Sequence, residues 1–457
     1  MRRWSFFKKL GLNGGRPSSP SPYQAMGRWN APWLKGLRQV AASRVDELVV
    51  PTRLDLWLAV LVVTGVLGFL GIVASFLKGH ENVFGVGMGV HWGILVATYM
   101  FFVIAASGLC LISSLGHVFG IRTFEPLGAK AHLLTIISLI AGFTAIGAEL
   151  ERPWRLFIFA PLTPNFSSAI WWMSILYTFE FVFQVVEFEF LNRGNMARRS
   201  SEVSGPASRL FRWLALGSSD TSAEALRKNM RLARLAGIGG VTFAILAVST
   251  LGAVFGLVEA RPWWSGAYMP IYLILSALVS AVAVLGLFGS LSYGLGGGEM
   301  ASGERALMVA LGRLLPLFLG ALVLFMVWNT IERLYGDIPG KSEAMLLLVA
   351  GALSLPFWGL EILVGTLVPF FILLHPRTRT TAGVGIASLL VLIGQFAARY
   401  DRVVAGQLVP VAGGMEVLHY APSFTEWLIV GGVLSLCAFL YTFADRALPR
   451  RDIHMDI

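Results

Sequence analysis

The sequence predicts an all-α, polytopic membrane protein: ten transmembrane helices in two related helical bundles, with both termini cytoplasmic. Three observations lead there. Of 457 residues, 56% are hydrophobic and 14% charged, against roughly a quarter charged in a soluble domain. The mean hydropathy is +0.71. The 50 glycines are the small residues that let helices approach closely inside a bilayer. These numbers exclude a soluble enzyme, a disordered chain and a disulfide-rich scaffold. The two cysteines, Cys110 and Cys437, both lie in apolar runs, so the chain builds neither a disulfide framework nor a four-thiolate cluster.

Residues 1–53 read as a basic cytoplasmic tail. Arg2 and Arg3 imitate a twin-arginine signal, but no apolar core of signal length follows before residue 54, so cleavage is not expected. Residues 11–31, rich in Gly, Pro and Ser, form a tether. From Pro32, the pattern Trp33, Leu34, Leu37, Val40, Ala41 and Val45 among Lys35, Arg38 and Arg44 suits a helix lying on the inner leaflet. Apolar stretches at 54–77, 91–115, 131–149 and 168–191 are long enough to cross about 30 Å of hydrocarbon and make up the first four-helix bundle, 54–191. A basic cytoplasmic linker, 192–233, follows, in which Thr221 and Glu224 form a capping box that starts the next helix. Spans 234–257, 270–293, 306–330 and 344–372 build the second bundle, 234–372. Residues 373–457 supply two more spans, 380–397 and 426–444, and the cytoplasmic C-terminus. No alternating strand pattern is present, and helices satisfy their own backbone groups in lipid.

Orientation comes from charge. With the N-terminus inside, 27 of the 36 Lys and Arg residues face the cytoplasm. The opposite face carries eight: Lys78, Arg152, Arg155, Arg261, Arg333, Lys341, Arg399 and Arg402. Arg313 alone falls within a span. That asymmetry is the positive-inside pattern of a bacterial inner-membrane protein. It also accounts for the net charge of +10 without nucleic acid, because the basic residues sit in connecting segments rather than on one face.

The seven histidines do not offer the facing pair that haem b takes. His80, His91 and His419 lie toward the periplasmic side, and His375 and His454 on the other. His117 and His132 flank one cytoplasmic loop, where interfacial solvation explains them. No haem, iron-sulfur cluster or metal site is therefore expected in this chain. There is also no Walker loop, HExxH, CxxC or nucleophile elbow.

Span three ends in Glu149, Glu151, Arg152, Pro153 and Trp154, and span five in Glu259, Arg261, Pro262, Trp263 and Trp264. Each pairs carboxylate with guanidinium where proline stops a helix, beside tryptophans that favour the headgroup level. With Thr163 to Met173, Ser249 to Phe255, Phe357 to Glu361 with Pro369, Arg399 to Gly406, and Pro422 to Trp427, the order of these segments over about residues 54–450 resembles the NrfD/PsrC family of quinone-interacting membrane subunits. Ten spans rather than eight are similar to its branch of hydrogenase-2 membrane subunits, DsrP-type subunits and the large membrane subunits of alternative complex III. One departure stands out: related hydrogenase-type subunits have a histidine before the Ser-Leu-Gly-like run where this chain has Ala247 to Gly252.

The resemblance implies a quinone, menaquinone or ubiquinone, bound near the periplasmic edge. It also implies a ferredoxin-like iron-sulfur subunit docked on that face, and a further catalytic or cytochrome subunit. A quinone head needs polar donors, an aromatic wall and a proton-exchanging group. His91, which opens span two, supplies the last; Glu149, Arg152, Trp154, Asn165, Trp171 and Trp172 lie at the same level. Ionisable groups within spans are costly and functional by default. Glu180 and Glu187, seven apart, share one face of span four, and Arg313 and Glu361 lie at similar depth and can pair. These four mark a proton route. The rival reading is a secondary transporter with helices broken at Pro316 and Pro356, although the repeat here is parallel rather than inverted.

Overall fold

A computed structural model describes residues 53–87, 89–121, 123–124, 128–296, 302–410 and 418–447. The expected interfacial helix at 32–45 and the C-terminal tail beyond 447 lie outside the described residues. Among the described residues, ten helices are long and apolar enough to cross a membrane, and there is no strand. They are α1 (Arg53–Lys78), α2 (Ile94–His117), α3 (Gly128–Glu149), α4 (Ala169–Glu202), α5 (Ala223–Gly256), α6 (Tyr268–Gly296), α7 (Ser302–Tyr335), α8 (Leu355–Leu374), α9 (Thr381–Leu408) and α10 (Phe424–Ala447). The protein is a multi-pass membrane protein.

Local chemistry starts several of these helices. Ser168 accepts the Trp171 N–H at α4, Ser222 the Ala225 N–H at α5, and Thr380 the Gly383 N–H at α9, each satisfying an otherwise unpaired first-turn donor. The α5 cap is therefore Ser222, one residue beyond the expected Thr221. The long helices close into two rings, α2–α3–α4–α5 and α6–α7–α8–α9, joined along α2, α6 and α9. This grouping starts one span later than the sequence division, and α1 packs against α10 where Gly68 meets Gly432. α2 is the hub: 94% of its apolar window is buried, against 17% for α1. Backbones meet closely because glycines allow it, as where Gly108 faces the Ala277 carbonyl and Gly365 faces Gly394.

Residues 192–233 do not form a separate linker. α4 runs on to Glu202, a short helix covers Pro206–Leu214, and α5 begins at Ala223, so α4 and α5 form a helical hairpin. The expected span 344–372 is also divided. Lys341–Val349 is a short helix, Ala350 to Ser354 turn the chain, and the crossing helix starts at Leu355. Pro356, at its second residue, has no N–H to lose there. α8 is π-helical over Leu355–Leu367, a wider winding that is rare and concentrates at functional positions. Pro316, by contrast, sits inside an unbroken α7, so that span lacks the break a midplane transport site needs.

Candidate functional site

α4 crosses the first ring with a polar face. Met173, Tyr177, Glu180, Gln184, Glu187 and Leu191 are buried at spacings of three and four, the period that puts side chains on one stripe. Ser107 Oγ of α2 donates to Glu180 Oε2 at 3.0 Å, while Glu180 Oε1 is buried without a hydrogen-bond partner among the described residues. Gln184 Nε2 donates to Glu187 Oε2 at 3.3 Å and to Cys110 Sγ at 3.1 Å. That commitment leaves Gln184 Oε1 as an acceptor, 2.9 Å from His132 Nδ1, which must then hold a proton. The other ring nitrogen, Nε2, faces Glu187 Oε1 at 3.5 Å.

His132 is thus fully buried, which corrects its expected interfacial solvation. Toward the 79–93 end of the bundle, Tyr99 and Tyr177 continue the line, with ring centroids 6.4 Å apart, and Tyr99 OH donates to Met173 Sδ at 3.6 Å. Glu180 and Glu187 therefore belong to one polar line, as expected. His132, Gln184, Ser107 and Tyr177 are additions to the expected set, although Tyr177 and Gln184 stand three before and four after Glu180 and the helical period marks them.

The expected pairing of Arg313 with Glu361 does not form. Arg313 is exposed on α7, and Glu361 pairs with Arg402 instead, at 2.9 and 3.1 Å through both oxygens. The reason is helix length: the expected span stops at 397, but α9 continues to Leu408, bringing Arg399 and Arg402 inside. Arg402 lies over the Tyr272 ring at 4.1 Å. Arg399 donates to Gln395 Oε1 at 2.9 Å and Ser280 Oγ at 3.3 Å. Asp401 is fully buried within electrostatic reach of Glu361 and Arg402.

The residues expected around a quinone all sit at the 79–93 end but form separate groups. His91 is exposed in the loop before α2, not on that helix; its backbone N–H donates to Gln407 Oε1 at 2.8 Å. Glu149, the last residue of α3, is half-buried beside the Gly93 amide and within electrostatic reach of Glu426. Trp171 and Trp172 stack edge-on at 4.9 Å and, with Phe166, make an aromatic shelf. Both indole N–H groups are spent on backbone carbonyls, of Ala160 at 2.7 Å and Phe166 at 2.9 Å. Asn165 accepts from Ser167 Oγ at 2.9 Å beneath that shelf. Trp154 precedes a π-helical turn, Arg155–Phe159, and it and Arg152 are exposed.

The second copy of the Arg-Pro-Trp segment is built in. Arg261 Nη1 donates to the carbonyls of Gln407 and Val409 at 3.1 and 3.0 Å, and Nη2 to that of Gly89 at 3.5 Å; burial lowers its pKa. Trp264 Nε1 donates to the Arg402 carbonyl at 2.7 Å, and its ring stacks on Trp92 at 5.3 Å. Beside it, Tyr420 OH donates to Glu426 Oε1 at 2.7 Å and accepts the Ile94 N–H at 2.8 Å. Burial, then the Glu426 carboxylate, pushes the Tyr420 hydroxyl well above its ordinary range. Among the described residues, no three His, Cys, Asp or Glu side chains converge as metal ligands.

Comparison with known proteins places these features in a family. The profile described as polysulphide reductase, NrfD matches residues 82–412. A selenate reductase subunit of Mesobacillus selenatarsenatis is 25% identical over 410 residues, covering 85% of this chain and 94% of that protein. The Hdr-like menaquinol oxidoreductase integral membrane subunit of Archaeoglobus fulgidus is 24% identical over 415 residues, covering 84% and 91%.

Proposed function

This chain belongs to the polysulphide reductase NrfD family, and on that premise we propose that it is the quinone-handling membrane subunit of a respiratory oxidoreductase complex. It exchanges electrons with a periplasmic iron-sulfur subunit that serves a further catalytic or cytochrome subunit. The relatives support this reading: one is a reductase subunit and the other is named for menaquinol, so menaquinone is the first quinone to test, ahead of ubiquinone. The N- and C-termini are cytoplasmic by the charge asymmetry, which puts the 79–93 end on the periplasmic side.

The observation that carries the proposal is the buried line on α4. A quinone exchanges two protons with every two electrons, and a protein that handles one needs groups able to pass those protons. Glu180, Gln184, Glu187 and His132 are fully buried in a bundle that could have been built from leucine at lower cost. At the periplasmic end, the residue types suit a quinone head although they stand in separate groups: the mutually edge-on Trp171, Trp172 and Phe166 rings offer an aromatic wall, and exposed Arg152 donates to a carbonyl oxygen. Asn165 offers an amide, Trp154 closes the rim, and Glu149 or His91 exchanges the proton. Glu180 then holds a proton at its free oxygen and Glu187 with His132 passes it onward, connecting the site to the cytoplasmic side and making turnover electrogenic.

Glu180→Gln in the whole complex, reconstituted in proteoliposomes, tests the route. Electron transfer persists and the proton-to-electron ratio falls; an unchanged ratio takes Glu180 off the path. His91→Ala tests the head-group site, with loss of quinone-linked turnover in an assembled complex as the expected outcome.

A further inference from the structure

A groove of about 340 Å³ opens between the first turns of α6 and the last turns of α7, on the outer side of the Tyr268 and Arg333 side chains that separate it from Arg402. Its walls include Ile271 and Trp328, which are 51% and 63% exposed, and Phe325. Three ionic side chains line it: Glu332, Arg333 and Lys341. Arg333 forms the floor. It is buried, its Nε donates to Asn329 Oδ1 at 2.8 Å and its Nη1 to the Trp263 carbonyl at 2.9 Å, and its guanidinium lies 4.3 Å from the Trp263 ring. None of these partners is a carboxylate, and Nη2 has no hydrogen-bond partner among the described residues. A buried cation without a counter-charge is costly.

Glu332 acts on it from a distance without forming a close ion pair. Glu332 is exposed and Lys341 half-buried, yet among the described residues no ion pair within 4 Å joins Glu332 to Arg333 or Lys341, although all three face one groove. Charges of both signs thus line a single opening without meeting. That arrangement complements a zwitterion spanning the gap. The groove also sits where two spans end, at headgroup depth. Below Trp328, Leu324 and Leu317 follow at spacings of four and seven and are 61% and 64% exposed, so one side of α7 offers an apolar track toward the membrane centre.

We propose that this groove binds phosphatidylethanolamine. The phosphate lies between Lys341 and the free edge of Arg333, the ammonium donates to Glu332, and an acyl chain follows Leu324 and Leu317. The apolar track and the carboxylate select the lipid over inorganic phosphate, which would use the two cations alone. Glu332 selects an ammonium that donates hydrogen bonds over the quaternary head of phosphatidylcholine, which donates none.

The test uses the full complex in phosphatidylcholine nanodiscs containing a small fraction of phosphatidylethanolamine, with retained lipid counted by native mass spectrometry. One phosphatidylethanolamine per chain is expected. Glu332→Gln abolishes the preference for it over phosphatidylcholine, while Lys341→Gln weakens retention of both, each by about fivefold, the range of one partly exposed ion pair. Both residues are at the groove mouth, and an unchanged thermal midpoint in detergent without added lipid confirms that each variant is folded. Retention of no lipid, equal retention in the parent protein, preference for phosphatidylglycerol, or displacement by millimolar inorganic phosphate or by a quinone each overturns the proposal.

Discussion

Glu361→Gln is the substitution whose consequence follows most directly from the geometry. It replaces a carboxylate that accepts two charge-assisted hydrogen bonds, at 2.9 and 3.1 Å, by an amide that accepts at one oxygen and turns an N–H₂ toward the guanidinium. Arg402 is buried, with Arg399 three residues away on the same helix, so the uncovered charge is poorly solvated. Removing one partner of a buried ion pair costs about 3–5 kcal/mol; the glutamine oxygen keeps one hydrogen bond, and the lower end of that range applies. Arg402→Gln alone should cost a similar amount. The two together should cost less than their sum by about 2 kcal/mol, because neither variant then strands a charge. The assay is a double-mutant cycle on unfolding of the detergent-solubilised chain in sodium dodecyl sulfate. A parallel cycle of Glu361→Gln with Arg313→Gln should be additive, since Arg313 is exposed. A Glu361–Arg402 coupling below about 0.5 kcal/mol, a typical limit of additivity for independent sites, refutes the pairing, as does a comparable coupling to Arg313.

Arg261→Ala should destabilise the solubilised chain by about 2–3 kcal/mol, because three carbonyl contacts lose a charged donor. Arg152→Ala should leave unfolding within about 0.5 kcal/mol and instead raise the KM for quinol; stability loss at Arg152 would reverse the assignment of the two copies. His132→Phe should abolish proton uptake coupled to turnover while Gln184→Glu retains part of it, read by pH-indicator dyes in proteoliposomes. Normal uptake in the histidine variant would show that Glu187 works without it. Gly394→Val should prevent the approach of α8 and α9 at Gly365, read as loss of folded complex on size-exclusion chromatography.

Ten spans are legible in the sequence because a membrane crossing needs only length and apolarity, and both are local. The ends are less so. α9 reads as stopping at residue 397 because Arg399, Asp401 and Arg402 look like a polar exit. Their burial depends on Glu361, Gln395, Ser280 and Tyr272 being supplied from elsewhere on the same helix and from two others, which no window on α9 contains. His132 is misread for the same reason: its partners Gln184 and Glu187 lie about fifty residues away. Glu180 and Glu187 are readable because a seven-residue spacing is itself the geometry. The helix pairing is not, since the glycines that join α1 to α10 bear no mark of their partner.

The internal echo shows how far a repeated segment can diverge in use. Two Arg-Pro-Trp runs close α3 and α5 with the same residues. In the second, Arg261 ties three carbonyls, Trp264 donates to Arg402, and Trp263 lies under Arg333, so the Arg261 guanidinium and the Trp264 indole N–H are committed inside the fold. In the first, Arg152 and Trp154 remain exposed. A side chain already holding the backbone has little left to bind a ligand, whereas an uncommitted guanidinium at the membrane surface is free to do so. Commitment of donors, rather than motif identity, therefore favours the first copy for the head-group site. The same reasoning makes the unpaired charges beside α7 the other place where this protein is built to meet a molecule from the bilayer.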